Sequence, residues 1–167
     1  MQTTRIGILS DTHISQADPI FARTIAHCFK DVSTILHAGD LTNAKILTVF
    51  EDKTVHAVHG NMCNHMTCLA LPRKKLIQIG AFSIGLIHNT GQGYDFEDKL
   101  IDEFDGLADC IVYGHTHKPV CHKKGQTLFI NPGSFMATSR YGAPGTFGIL
   151  EIGENMHAAI YEVPSKV

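Results

Sequence analysis

The stretch Cys110-Ile111-Val112-Tyr113-Gly114-His115-Thr116-His117 constrains this chain more than any other. Its four leading apolar residues read as a buried strand, and Gly114 lets the chain turn sharply where that strand stops. Imidazoles at i and i+2 just past a strand can both reach one pocket at the sheet's carboxyl edge. That edge is where open α/β folds place their ligands. A histidine pair alone is a weak signal. It becomes a strong one only if other strands also finish in metal-type ligands.

Other strands do. Residues 5–10 form an apolar first strand followed by Asp11-Thr12-His13. Asp18-Pro19 is a helix start, a capping carboxylate with proline at the first helical position. The stripe Ile20, Phe21, Thr24, Ile25, Cys28 and Phe29 follows. Residues 34–37 form a short second strand ending in Ala38-Gly39-Asp40, and residues 43–50 read as a helix. A third strand over 54–59 ends in Gly60-Asn61, and residues 62–72 read as an irregular loop. Residues 76–79 and 82–88 pair as a hairpin through Gly80-Ala81, closing on His88. A helix over 94–104 precedes the histidine-pair strand. Residues 120–122 and 127–130 flank the turn Lys123-Lys124-Gly125-Gln126, and Asn131-Pro132-Gly133-Ser134 makes a tight loop. A last hairpin joins residues 146–152 to 156–163. A β-α-β-α-β start followed mostly by strands predicts an α/β sandwich, two sheets face to face with helices outside.

Five strand ends thus carry Asp11 with His13, Asp40, Asn61, His88, and His115 with His117. Either aspartate alone could cap a helix, Asn61 could be a turn residue, and His88 could be packing. Their joint placement is hard to ascribe to chance. Three oxygen donors and four imidazoles are too many for one tetrahedral zinc and include no thiolate. The mixture suits two divalent ions of intermediate hardness, such as manganese, iron or zinc. Two such ions about 3.5–4 Å apart can share a hydroxide and clamp a phosphoryl group from both sides. With Asp11 and Asp40 ionised, two dications and a hydroxide leave about +1, which attracts a phosphate anion.

Composition agrees and narrows the class. With 167 residues, 44% of them apolar, the chain is long enough for one domain with a sizeable core, taken here as residues 1–167. A net charge of -2 argues against a dedicated nucleic-acid surface. The five cysteines are irregularly spaced, without Cys-x-x-Cys, and read as reduced thiols of a cytosolic protein. Met1-Gln2-Thr3-Thr4-Arg5 runs straight into a strand, and no apolar run reaches membrane-spanning length. A soluble, cytoplasmic protein without membrane contact is expected.

The pattern Asp11-Thr12-His13, Gly39-Asp40, Gly60-Asn61, His88 and Gly114-His115-Thr116-His117 resembles the calcineurin-like metallophosphoesterase superfamily, in order, from Ile6 to His117. With Asn131-Pro132-Gly133-Ser134 and Arg140 added, the whole chain resembles its small YfcE-like phosphodiesterases, the branch that also holds Vps29. The resemblance implies a four-layer α/β/β/α sandwich with the metals at the strand ends. It implies Asp11, His13, Asp40 and His117 on one metal and Asp40, Asn61, His88 and His115 on the other, Asp40 bridging. Manganese is the foremost candidate, with iron, zinc or nickel also fitting.

Asn61, His88 and Arg140 are the residues expected to act on the substrate, a small phosphoester. Arg140 would bind phosphate oxygens bidentately; an exposed loop arginine is the alternative. The implied activity is metal-dependent phosphodiester hydrolysis (EC 3.1.4.-) by a metal-bridging hydroxide. A phosphomonoesterase and a Vps29-like binding scaffold are the alternatives, and a homo-oligomer is compatible with either.

Three positions depart from the pattern. Many superfamily members have a histidine after the motif asparagine, suited to protonating the leaving alcohol; here Met62 stands there, as the small branch also commonly lacks it. Cys63 replaces an aspartate frequent in the branch, and His88-Asn89-Thr90 replaces His-Gly-His. The missing acid favours substrates with good leaving groups. His65 is a candidate to substitute for it in part, a surface or core histidine being the alternative.

Overall fold

A computed structural model describes residues 3–88, 91, 93–137 and 143–166. In chain order the elements are β1 (Thr4–Leu9), α1 (Pro19–Cys28), β2 (Thr34–His37), a 3-10 helix (Ala44–Phe50), β3 (Thr54–Ala57), α2 (His65–Ala70) and β4 (Lys74–Ile79). There follow β5 (Phe82–Ile87), α3 (Phe96–Glu103), β6 (Cys110–Tyr113), β7 (Val120–Lys124), β8 (Thr127–Asn131), β9 (Thr146–Ile152) and β10 (Met156–Glu162).

The strands form two mixed five-stranded sheets, ordered β10-β9-β1-β2-β3 and β4-β5-β6-β8-β7. Within the first, β1, β2 and β3 run parallel; within the second, β5, β6 and β8 do. Antiparallel strands border each parallel block. Every strand that leads into a predicted ligand belongs to a parallel block. The carboxyl ends of β1, β2 and β3 therefore lie along one edge of the first sheet, and those of β5 and β6 along one edge of the second.

Side-chain alternation separates three apolar layers. Ile6 and Ile8 of β1, Leu36 of β2, Ile84 and Leu86 of β5, and Cys110 and Val112 of β6 fill the space between the sheets. Ile35 of β2 and Ile149 of β9 point the other way, onto Phe21, Ile25 and Phe29 of the α1 segment and onto Ile46 and Phe50. Ile111 and Tyr113 of β6 meet Leu100 and Phe104 of the α3 segment. The order is helix, sheet, sheet, helix, the four-layer sandwich expected. Gly7 belongs to the outer face of β1. A Cβ there would lie 2.4 Å from the Phe29 ring, so a bare backbone is what lets Phe29 seat directly on the sheet.

Local signals explain most boundaries. Asp18 accepts the Phe21 N–H at 2.7 Å and Pro19 opens α1, as its sequence predicts. The predicted helix over 43–50 winds as a 3-10 helix, Ala44–Phe50, rather than an α-helix. Asn43 takes the Lys45 N–H with its own side chain, and Thr48 and Val49 are poor α-formers. Residues 62–72 are not wholly irregular: they contain α2, capped by Asn64, whose side chain accepts the Thr67 N–H at 2.8 Å. Met66 and Leu69 of α2 face outward and only Thr67 is buried, so no apolar stripe announced it. The turn between β7 and β8 is just Gly125-Gln126, tighter than the four residues predicted.

Candidate metal centre

The strand-end loops carry an unusual backbone. Asp11, His13, Asp40, His115 and His117 all have positive φ, at 53°, 49°, 52°, 73° and 57°. Left-handed conformations are sparsely populated by non-glycine residues and persist only where surroundings hold them. Five of the seven predicted ligands share this feature, whereas Thr42 and Asp105 are the other described non-glycine residues that do. Main-chain bonds lock the loops together. The Asp11 N–H donates to the Gly39 carbonyl and the His13 N–H to the Asp40 carbonyl, each at 2.9 Å.

The predicted ligands gather in two clusters. In the first, Asp11 Oδ1 lies 3.0 Å from His117 Nε2 and 3.6 Å from His13 Nε2, and the two ring nitrogens are 3.1 Å apart. Asp11 is fully buried. Its Oδ2 accepts the Ser10 hydroxyl at 2.5 Å and the His115 N–H at 3.1 Å, while Oδ1 accepts no hydrogen bond. A buried carboxylate oxygen without a donor is costly, and one aimed at two imidazole nitrogens is what a cation would satisfy.

In the second cluster, Asp40 Oδ2 is 3.2 Å from His88 Nε2, and Asn61 Oδ1 is 3.2 Å from His88 Nε2 and 3.0 Å from His115 Nδ1. Asp40 Oδ1 accepts the Met62 N–H at 2.7 Å, leaving Oδ2 to face the histidines. His88 Nδ1 donates to the Ala38 carbonyl at 2.8 Å, so the Nε2 lone pair points into the cluster. A hydrogen bond on the far nitrogen is the usual way a metal-binding histidine is oriented. Asp40 falls with the second triad, His88 and His115, and not with the first.

Titration preferences match a site built for positive charge. Burial alone would raise the Asp11 carboxyl, but the adjacent His13 imidazole, the Ser10 hydroxyl bonded to it and the nearby His88 and His117 outweigh it and hold it below its usual value. Asp40 is likewise depressed, burial being outweighed by His88 and the Met62 N–H. The Asp11 carboxylate beside it raises His13. Burial pulls His88 down, yet Asp40 and Asp11 raise it overall. Protons and a metal ion therefore compete for His13 and His88.

Further residues tune the site without having been predicted. Gly114 is where β6 meets the wall of the first cluster. A Cβ there would lie 2.1 Å from Ser10 Oγ and 2.8 Å from both Ala38 O and Asp11 Oδ2. Buried Asn131 donates to the Gly114 carbonyl at 3.1 Å and to Thr116 Oγ1 at 3.0 Å, and accepts the Gly133 N–H. Ser134 donates to the Asp11 carbonyl at 2.9 Å. The Asn-Pro-Gly-Ser loop is therefore a brace for both clusters. Exposed His65 opens α2 and has no hydrogen bond or ion pair to any predicted ligand among the described residues. Arg140 lies outside the described residues, as do Asn89 and Thr90.

Comparison with known proteins points the same way. The calcineurin-like phosphoesterase superfamily domain matches residues 4–155. A probable metallophosphoesterase of Methanothermobacter thermautotrophicus is 36% identical over 166 residues, covering 97% of this chain and 94% of the relative. Phosphodiesterase MJ0936 of Methanocaldococcus jannaschii is 28% identical over 162 residues, covering 88% of this chain and 92% of the relative. Among solved structures, Vps29 of Entamoeba histolytica complexed with zinc superposes with a TM-score of 0.72 at 20% identity, covering 96% of this chain and all of that one. At that identity the likeness is one of fold.

Proposed function

The chain belongs to the calcineurin-like phosphoesterase superfamily, and from that membership we propose that it is a phosphodiesterase working with two divalent cations, manganese foremost. The observation that carries this reading is the pair of clusters, each with a buried carboxylate oxygen facing imidazole nitrogens. Asp11, His13 and His117 would hold one ion; Asp40, Asn61, His88 and His115 the other, with Asp40 reaching to the first. Such a pair supplies an activated water as nucleophile and positive charge against the phosphoryl oxygens.

The chain's own groups do the rest. Ser10 and the His115 N–H hold Asp11 in one rotamer, and Ala38 holds the His88 ring. Asn61, the exposed member of the second cluster, would donate its amide N–H groups to a substrate phosphate, and Arg140 is proposed to do the same with its guanidinium. Met62 is exposed beside the centre and has no proton to give, while its main-chain N–H is committed to Asp40. Diesters with good leaving groups are therefore the preferred substrates.

The test strips the protein of metal and measures hydrolysis of bis-p-nitrophenyl phosphate and p-nitrophenyl phosphate with and without manganese. Asp40→Asn and His117→Ala are run beside it. Manganese-restored diester hydrolysis, lost in both variants, is expected. Preference for the monoester would make the protein a phosphomonoesterase. Two bound ions without turnover would favour the Vps29-like scaffold.

A further inference from the structure

His37 belongs to neither cluster, has no exposed surface, and bonds to residues that adjoin Asp11, His13 and Asp40 in the chain. Burying an imidazole is costly unless both nitrogens are paired. Here both are. Nδ1 accepts the Gly39 N–H at 3.2 Å, and Nε2 lies 3.2 Å from Thr12 Oγ1. Since Nδ1 accepts, the proton of the neutral ring is on Nε2 and is donated to Thr12. Burial pushes the His37 pKa down to about 4, which keeps the ring neutral.

The two partners are not ligands; they are the residues that set where ligands point. Thr12 sits between Asp11 and His13, and Gly39 immediately precedes Asp40. All three ligands have positive φ, and Gly39 has φ 96°. Loops in such conformations relax unless they are braced. One brace is main-chain, the two 2.9 Å bonds that cross between the loops. His37 adds a side-chain brace from the β2 loop to the β1 loop.

We infer that His37 is a positioning residue that fixes the spacing between the Asp11–His13 loop and the Asp40 loop, so that the second ion can bind beside the first. This rests on the two-ion reading above. It gives Thr12, the middle residue of Asp11-Thr12-His13, a role through its hydroxyl.

The test titrates the metal-free full chain with manganese, reading stoichiometry by calorimetry and ion pairing by the exchange-coupled electron paramagnetic resonance signal. Wild type is expected to take two equivalents and show the coupled signal. His37→Asn keeps an acceptor for the Gly39 N–H but cannot reach Thr12. Thr12→Val keeps the shape and removes the hydroxyl. Both are expected to bind the first equivalent normally, bind the second about tenfold or more weakly, and lose the coupled signal. Thr12→Ser, which keeps the hydroxyl, is expected to retain it.

Should His37→Asn fail to fold, Thr12→Val decides alone, since it disturbs neither burial nor Gly39. A coupled wild-type pair that survives Thr12→Val with unchanged second affinity overturns the inference and leaves the two-ion reading intact. A wild type that binds one ion or none overturns both.

Discussion

Gly114→Ala is the substitution whose outcome the structure dictates most directly. The added Cβ would lie 2.1 Å from Ser10 Oγ and 2.8 Å from the Ala38 carbonyl oxygen and Asp11 Oδ2. All are well inside the roughly 3.5 Å at which non-bonded atoms rest. Ser10 can swing away only by giving up its bond to the buried Asp11 carboxylate. The Ala38 oxygen is main chain and already accepts from His88, so it cannot yield without moving that ring. Overpacking of this kind costs about 1–3 kcal/mol, and loss of a hydrogen bond to a charged group about 1.5–3 kcal/mol. Together they come to roughly 2.5–6 kcal/mol. In a domain of this size that is a fall in melting temperature of about 5–24 °C. Calorimetry of the manganese-loaded protein measures it. Ser10→Ala alone should show only the bond's share. In the double variant the second change should cost less than it does alone, because the closest clash is gone. A Gly114→Ala protein melting within about 2 °C of wild type and binding manganese normally would refute the assignment of Ser10, Gly114 and Ala38 as the wall that sets Asp11.

Four other outcomes follow from the same geometry. In the metal-free protein, His13 and His88 are raised above 6.5, so their contribution is complete below that pH and is lost as pH climbs through the folded values. Asp11 and Asp40 are depressed below 3.8, so theirs is complete above 3.8 and is lost as pH falls. His37 is pushed down to about 4, so its contribution is lost as pH falls below 6.5. Urea unfolding should therefore find the metal-free chain most stable near pH 6.5; stability rising steadily from pH 6.5 to 9 would contradict it. Manganese at a hundred times its dissociation constant should add about 2.7 kcal/mol per independent site, roughly 5–11 °C in melting temperature, and more at pH 8 than at pH 6. Asn131→Ala leaves the Gly114 carbonyl and Gly133 N–H without their buried partner and should lower stability by about 2–4 kcal/mol with weaker manganese binding, read by denaturation and calorimetry. His65→Ala should leave the pH–rate profile unchanged, since that side chain has no bond to the ligands.

The candidate ligand set was legible because each member ends a strand and has a residue type with little other business there. Asp11, Asp40, Asn61, His88, His115 and His117 could be picked out one strand at a time, and parallel pairing then brought their loops to adjoining edges. The residues that orient them were not legible. Ser10 and His37 read as the last positions of strands, and Asn131 as a turn residue. Their roles come from partners far along the chain, Asn131 with Gly114 17 residues away and His37 with Thr12 25 residues away. Nothing in local periodicity reports such a pairing. A polar residue at the end of an otherwise apolar strand was the available signal. α2 was hidden for the opposite reason: Met66 and Leu69 face outward, so the pattern of a buried helical face never formed.

The central claim is that two cations share this edge of the sandwich, and anomalous scattering from manganese-soaked crystals tests it most directly. Two peaks are expected, one among Asp11, His13, His117 and Asp40 and one among Asp40, Asn61, His88 and His115, separated by about 3.5–4 Å. A single peak, or two peaks that do not share Asp40, would contradict the dinuclear account.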